Sequence, residues 1–509
     1  MDYIKHMTRA QSEPLPDQVE NSAGGFSYQA SQWDRLRRFL ILGAEGGTYY
    51  VGERKLTQEN AQVVLDCHRE DARKTIATIT EVSERGLAPK NDPAIFALGL
   101  LSSDPRALAV MPRVCRTGTH LFQFINTAKS VRGWGRALKR TIEDWYIGKT
   151  SDKLAYQLAK YQQRDGWSHR DVLRLAHPIP VRPFQREAFK WATGRPVEDF
   201  EGISVIEGME RAKVAATSVG VASLIREFNL PRECVPTKWL KDPEIWEALL
   251  ESMPAIALLR NLGKMGSIDL LKPLSDAENL VCEKIRNISN THPIQVLLSL
   301  TTYASGKGVR GSLTWNPSAS VIAALNDAFY AAFESIEPTG KRHLLAIDVS
   351  GSMDWGKISG THISAAVGSA AMAMATIKTE PRTRTMAFSH QLMPLPIHSE
   401  MSLETVCGAV SQIPMGATDC SLPMLYALKN DIDVDVFVVY TDSETWYGQI
   451  HPAEALRDYR RKKQIPAKLI VMGMCANKFT IADPKDSGML DVVGLDGSVP
   501  SVMRDFILQ

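Results

Sequence analysis

No stretch of this 509-residue chain approaches the ~20 consecutive apolar residues that a bilayer-spanning helix needs, so no membrane protein is expected. The nearest run, Ile363 to Ile377, is uncharged but rich in Ala, Gly and Ser, and it reads as a buried helix. Cysteine is sparse. Cys67, Cys115, Cys234, Cys282, Cys407, Cys420 and Cys475 are scattered and odd in number, which does not suggest a disulfide framework. Neither Cys-x-x-Cys nor His-Glu-x-x-His occurs, so no familiar zinc site is spelled out. Asp2, Lys5 and Arg9 near the start flank no apolar core with a cleavage site, so no secretory signal is read. A reduced, cytoplasmic protein is expected, with the nucleus also open to it if its source is eukaryotic. No Ser/His/Asp or Cys/His arrangement stands out, which argues against an enzyme. What is present, 44% hydrophobic and 23% charged residues, is ordinary for a globular protein. The length suits two to four domains, or a repeat array with a partner domain.

The total charge of +2 hides an asymmetry. Residues 105–195 hold 18 Lys/Arg against 6 Asp/Glu, so the remainder of the chain is acidic. Two readings compete: an anion-binding face suited to nucleic acid, or solvated helix faces whose partners lie elsewhere in the sequence.

From about residue 30 to 335 apolar residues recur at three- and four-residue spacings, as in Asn60–Ile79, Asp152–Gln163, Glu207–Phe228, Pro243–Leu262 and Ala277–Ile288. Short turns such as Arg85-Gly86, Asp165-Gly166 and His292-Pro293 separate them. This part is expected to be all-α, in stacked helix pairs, although no strict period is visible. Near Glu337-Pro338-Thr339-Gly340 the pattern changes. Strands are expected at His343–Val349, Thr383–Phe388, Gln391–Leu395, Val434–Thr441 and Lys468–Met474. Helices are expected at His362–Lys378, Leu403–Val410, Ala453–Lys462 and Val499–Ile507. That alternation predicts a doubly wound α/β domain, whose ligands bind beyond the carboxyl ends of the strands.

At the end of the first of these strands stand Asp348, Ser350 and Ser352. Thr418 follows in Gly-Ala-Thr-Asp, and Asp442 ends a later strand. Two carboxylates and three hydroxyls suit a hard octahedral ion, Mg²⁺ or Mn²⁺, better than zinc. The bland reading of a lone Asp-x-Ser-x-Ser is a turn whose hydroxyls cap a helix. Three such elements in order favour the metal, with an open position for an acidic side chain of a partner.

These residues resemble the metal-ion-dependent adhesion site of von Willebrand factor A domains, over about residues 340–509. Longer words resemble the Ro autoantigen (TROVE) family: Thr418-Asp419-Cys420-Ser421-Leu422-Pro423-Met424, Phe479-Thr480-Ile481-Ala482-Asp483-Pro484, Glu45-Gly46-Gly47-Thr48-Tyr49-Tyr50, Trp134-Gly135-Arg136-Ala137-Leu138 and Leu258-Leu259-Arg260-Asn261-Leu262-Gly263-Lys264-Met265. The segment after Gly194 and the first ~25 residues match least. The resemblance implies a HEAT-like helical ring over residues 28–337 and a von Willebrand factor A domain over 338–509, with residues 1–27 left as a separate N-terminal segment. It further implies Y RNA bound on an outer basic surface and 3′ single-stranded ends of misfolded noncoding RNA admitted to the ring. An exoribonuclease, or another protein with an acidic ligand, would meet the metal.

The basic block carries candidate contacts of its own. Lys153, Gln157, Lys160 and Arg164 fall on one stripe of a helix running to Gln163 and beyond. After Asp165-Gly166 breaks that helix, Ser168 and Asp171 predict a capping box. Arg170, Arg174 and His177 then recur along one face, a surface suited to phosphates. Lys160, Arg164 and His177 match positions that the family uses for Y RNA, while His177 before Pro178 also reads as a helix end. Lys129, Arg132, Arg136, Lys139 and Arg140 extend the surface. Trp134, Trp145, Trp167 and Trp191 are read as structural, since aromatics at helical spacing are more often core. Gly306-Lys307-Gly308-Val309-Arg310-Gly311 matches a dinucleotide string but follows a helix, so it reads as a basic loop. The function expected is RNA binding for quality control or processing of noncoding RNA. The alternatives are a metal-dependent protein-adhesion module, or metal-assisted hydrolysis at Asp348 and Asp442.

Overall fold

Polar caps cut the helices shorter than the apolar spacing suggests. The stretch read as one helix over Asn60–Ile79 is two, Glu53–Glu70 and Ala72–Arg85, because the Asp71 carboxylate accepts the Lys74 N–H at 2.9 Å. Thr217 caps Ser218–Phe228 and separates it from Ser204–Val214. Pro254, which has no N–H to give, divides Pro243–Ser252 from Ala255–Ser267. The computed structural model describes residues 10–288, 291–309, 311–333, 337–358 and 361–509. Asp2, Lys5, Arg9 and the Arg310 of the glycine-rich loop lie outside them.

Two strands precede the helices, β1 (Gln18–Glu20) and β2 (Phe26–Gln29). The helices then pack in neighbour-to-neighbour series. Ala72–Arg85 lies on Pro105–Val114, which lies on Arg136–Ile147, which lies on His169–Ala176. Ser151–Lys160 starts a second series that runs through Ser204–Val214, Ser218–Phe228 and Pro243–Ser252 to Asp276–Arg286 and Ala319–Ala331. The series closes on itself. His292 Nε2 lies 3.3 Å from the Leu87 carbonyl, and Gln295 Nε2 donates to the Pro89 carbonyl at 2.7 Å. The helical part is not purely α. A hairpin of β3 (Gln163–Arg164) and β4 (Trp167–Ser168) interrupts it, turning through Asp165 and Gly166, both at positive φ. Among the described residues no helix is long and apolar enough to cross a membrane.

In the C-terminal domain β5 (His343–Asp348), β6 (Thr383–Phe388), β7 (Leu392–Pro394), β8 (Val436–Thr441), β9 (Lys468–Gly473) and β11 (Met489–Val493) form a sheet ordered β11-β9-β8-β5-β6-β7. All neighbours are parallel except β7, an antiparallel edge. β5 and β8 are buried along their whole length, as continuous apolar strands covered on both faces must be. The chain order reverses between β5 and β8, which makes their carboxyl ends the expected ligand crevice. The Ala-rich stretch is the buried helix Ala365–Thr379.

Residues 10–29 fold onto this C-terminal domain. β10 (Phe479–Thr480) pairs with β2, completing a three-stranded antiparallel sheet with β1. Gln11 Nε2 donates to Asp419 at 2.7 Å, Asn21 Nδ2 to the Thr445 carbonyl at 2.7 Å, and Ser27 Oγ to the Ser443 carbonyl at 2.8 Å.

Arg38 locks the helices to the sheet domain. Its side chain, 2% exposed on the helix Gln32–Leu42, pairs with Asp491 on β11 and donates to the Phe479 carbonyl at 2.7 Å. Removing one member of such a pair strands the other, at a cost of about 3–5 kcal/mol. Arg38→Met should therefore lower the thermal unfolding midpoint strongly. The double variant Arg38→Met/Asp491→Leu should recover most of the loss. Equal midpoints for Arg38→Met and wild type would show that the pair does not hold the domains.

Candidate functional site

Asp348 ends β5, and the chain then turns into the short helix Gly351–Trp355. The Asp348 Oδ1 accepts the Ser350 N–H at 2.9 Å, which fixes that turn, and the Ser350 and Ser352 hydroxyls lie 3.1 Å apart. Thr441, the last residue of β8, donates its hydroxyl to Asp348 Oδ2 at 2.7 Å. Asp442 follows it, and its Oδ1 accepts the Glu444 N–H at 3.1 Å. Thr418 stands on the adjoining loop, where its carbonyl accepts the N–H groups of Trp446 and Tyr447 at 3.2 and 3.0 Å. Asp348, Ser350, Ser352, Thr418 and Asp442 are all buried. The structure thus joins Asp348, Ser350 and Ser352 in one hydrogen-bonded group, sets Asp442 directly after the Thr441 that bonds to Asp348, and ties Thr418 to the loop beyond Asp442.

The electrostatics of this group are strained. Burial pushes the Asp348 carboxyl up to about 7, with Asp442 adding to the rise and hydrogen bonds from Ser350 and Thr441 opposing it. Burial also raises Asp442. Glu444, which sequence reasoning missed, is driven up to about 8 by burial and then by Asp442. No lysine or arginine among the described residues pairs with any of the three. Buried like charges without a counterion favour a cation. The donors suit a hard one: two carboxylates and three hydroxyls, with no cluster of three or more His, Cys, Asp or Glu among the described residues. Where such an ion binds, Asp348, Ser350, Ser352, Thr418 and Asp442 are the residues to hold it.

The helical part reaches this site. Tyr50, half-buried in the Glu45–Tyr50 loop, lies beside this group: burial, then Asp442, Glu444 and Asp348, raise its pKa, and the Ser352 side chain opposes the rise. The Tyr49 ring packs edge-on against Tyr50 at 5.0 Å and against Trp355 at 6.2 Å. The only sequence signal for this contact was the Gly-Gly-Thr-Tyr-Tyr word, since nothing local links Tyr50 to a strand end some 300 residues away.

The cationic candidates divide into groups. Lys160 ends its helix and is not free: it donates to the Tyr156 hydroxyl at 2.9 Å. It also lines a cavity of about 620 Å³ with Lys153, Tyr156, Arg232 and Asn261. The expectation that Arg164 continues that helical stripe is corrected, because the helix stops at Lys160 and Arg164 lies on β3, opposite Trp167. The physical reason is that Asp165-Gly166 acts as a hairpin turn rather than as a simple helix stop. The Ser168–Asp171 capping box is present in full. Arg170 donates to the Thr193 carbonyl at 3.0 Å, and Arg174 and His177 are exposed. His177 is also the left-handed helix end, its N–H bonded to the Leu173 carbonyl at 3.0 Å. Arg132 donates to the Ser102 carbonyl at 2.5 Å, whereas Lys129, Arg136 and Arg140 are exposed and Lys139 is half-buried. None of these ten residues pairs with a carboxylate among the described residues, although Arg106, Arg113 and Lys190 in the same block do.

Together, fold and site define a von Willebrand factor A-type domain seated on a closed circuit of helices. The chain belongs to the Ro60 family: the TROVE domain matches residues 19–202 and 229–302, and the Ro60 vWA domain matches 342–507. It is 39% identical over 520 aligned residues to the RNA-binding protein RO60 of Deinococcus radiodurans, covering 99% of this chain and 98% of that one. It is 33% identical over 599 to the RNA-binding protein RO60 of Caenorhabditis elegans, covering 99% and 92%. The crystal structure of the Deinococcus radiodurans RO (RSR) protein superposes with a TM-score of 0.70, covering 94% of this chain and 99% of that one.

Proposed function

We propose that this protein binds small noncoding RNA of the Y type through the cations of residues 129–177, and that its HEAT-like helical circuit admits 3′ single-stranded ends of misfolded RNA. The observation that carries the reading is a set of ten basic side chains left without carboxylate partners in one block. Relatives named as RNA-binding proteins support it. The A-type domain then holds Mg²⁺ or Mn²⁺ and offers it to an acidic side chain of a protein partner, such as an exoribonuclease. Binding is favoured over hydrolysis. Glu444, the nearest further carboxylate, is engaged by the Ser22 N–H at 2.7 Å and the Asn477 amide at 3.2 Å, so it buttresses the site and is not a free general base.

The test is RNA affinity across a salt series. Each phosphate neutralised on a single strand contributes about −0.7 to the log–log slope, so several exposed cations predict a steep fall. RNA should also accompany the protein on gentle purification. Affinity that stays flat between low and high salt would remove the reading.

A further inference from the structure

The tryptophans of the basic block fall into two kinds. Trp145 is 1% exposed and donates its Nε1–H to the Cys115 carbonyl at 2.5 Å, and Trp191 donates to Glu210 at 2.7 Å. Both are structural, as their helical spacing suggests. Trp134 and Trp167 differ. Each is half-buried, packed on one side against the core, and neither indole N–H has a hydrogen-bond partner among the described residues or is buried without one.

The two come from separate turns and meet. The helix Gly118–Arg132 ends at Gly133, whose φ of 67° lets the chain swing out through Trp134 before the next helix begins at Arg136. Trp167 sits on β4, opposite Arg164. Their ring centroids lie 5.9 Å apart with planes inclined at 59°, and the Lys129 ammonium stands 5.3 Å over the Trp167 ring. Lys129, Arg136 and Arg164, all exposed and without carboxylate partners, are on or beside the same two turns. Aromatic faces interleaved with unpaired cations suit an unstacked nucleotide: the base lies on an indole while its phosphates meet the cations. A core pair would have no use for the three cations around it.

We propose that Trp134 and Trp167 form a stacking platform for unpaired bases of a single-stranded RNA, with Lys129, Arg136 and Arg164 holding the flanking phosphates. This rests on the RNA-binding reading and deepens it, because it assigns part of the block to bases rather than to backbone charge.

The experiment compares a single-stranded RNA decamer with an abasic decamer of the same length and charge, on the full-length protein. Wild type should bind the base-bearing strand about tenfold or more tightly, as base–aromatic stacking does elsewhere. Trp134→Leu and Trp167→Leu should each lose most of that preference while leaving abasic binding and the salt slope unchanged. Trp134→Phe, which keeps an aromatic face, should retain most of it. Equal binding of the two strands by wild type overturns the platform alone and leaves a phosphate surface. Equal loss on both strands in the leucine variants also overturns it. Failure of wild type to bind either strand overturns the RNA reading and the platform together. The comparison of strands on wild type needs no variant, so it stands even if a leucine variant fails to fold.

Discussion

Asp348→Ala is expected to abolish Mg²⁺ and Mn²⁺ binding by calorimetry while RNA affinity stays within about twofold of wild type. Asp348 supplies one of only two carboxylates in the donor set and anchors the turn that places Ser350 and Ser352. Its loss removes both a charge and the geometry. The cations proposed to meet RNA lie on the helical circuit and share no hydrogen bond with it. Mg²⁺ at a hundred times its Kd should stabilise wild type by about 2.7 kcal/mol, and this increment should vanish in the variant. Asp348→Asn is the control for packing. It keeps an acceptor, Oδ1, for the Ser350 N–H, turns the Thr441 contact round so that Nδ2–H donates to the hydroxyl, and removes the charge that faces Asp442. Its metal-free unfolding midpoint should not fall below that of metal-free wild type. Equal loss of metal and RNA binding in a folded Asp348→Ala protein would show that the two sites are one.

What the sequence made legible was local. Asp348, Ser350 and Ser352 sit at alternate positions after an unbroken apolar strand, so strand end and donor set are read in one window. The order of strands and helices then implies the crevice between β5 and β8 without any long-range information. The hidden features were those that depend on contacts distant in sequence. Nothing local shows that Gln11, Asn21 and Ser27 bond to residues 419–450, or that Tyr50 comes beside Asp348, Asp442 and Glu444. Arg38 looks like one more surface cation of an amphipathic helix until Asp491 is seen opposite it. Arg164 differs in kind. Asp-Gly flanked by short polar runs stops a helix or turns a hairpin with equal ease, and the polar stripe before it favours the first meaning over the second. The helix-stop meaning also leaves Trp167 among the core residues, since only a hairpin brings it out beside Trp134.

Replacing both Lys160 and Arg164 with Ala should weaken Y-like RNA most and tailed misfolded RNA less. The log–log salt slope for Y-like RNA should become shallower by about two, roughly one for each phosphate that no longer meets a cation. The asymmetry follows from what each RNA can enter. A duplex is rigid and wide, so on the proposed reading it stays on the outside of the circuit. A single strand has unstacked bases and a pliant backbone, so on the proposed reading it alone threads the circuit that His292 and Gln295 close against Leu87 and Pro89. Of the contacts proposed for the tail, the double variant removes only that of Arg164 and leaves Trp134, Trp167, Lys129 and Arg136 in place. Cutting the 3′ single strand from misfolded RNA should correspondingly weaken that RNA alone and leave Y-like RNA unchanged. One gel-shift series, with tailed and blunt forms of each RNA on wild type and the double variant, reads all of these effects. If wild type binds blunt and tailed misfolded RNA equally, threading is wrong, and residues 129–177 form a general RNA surface that does not distinguish an end from a duplex.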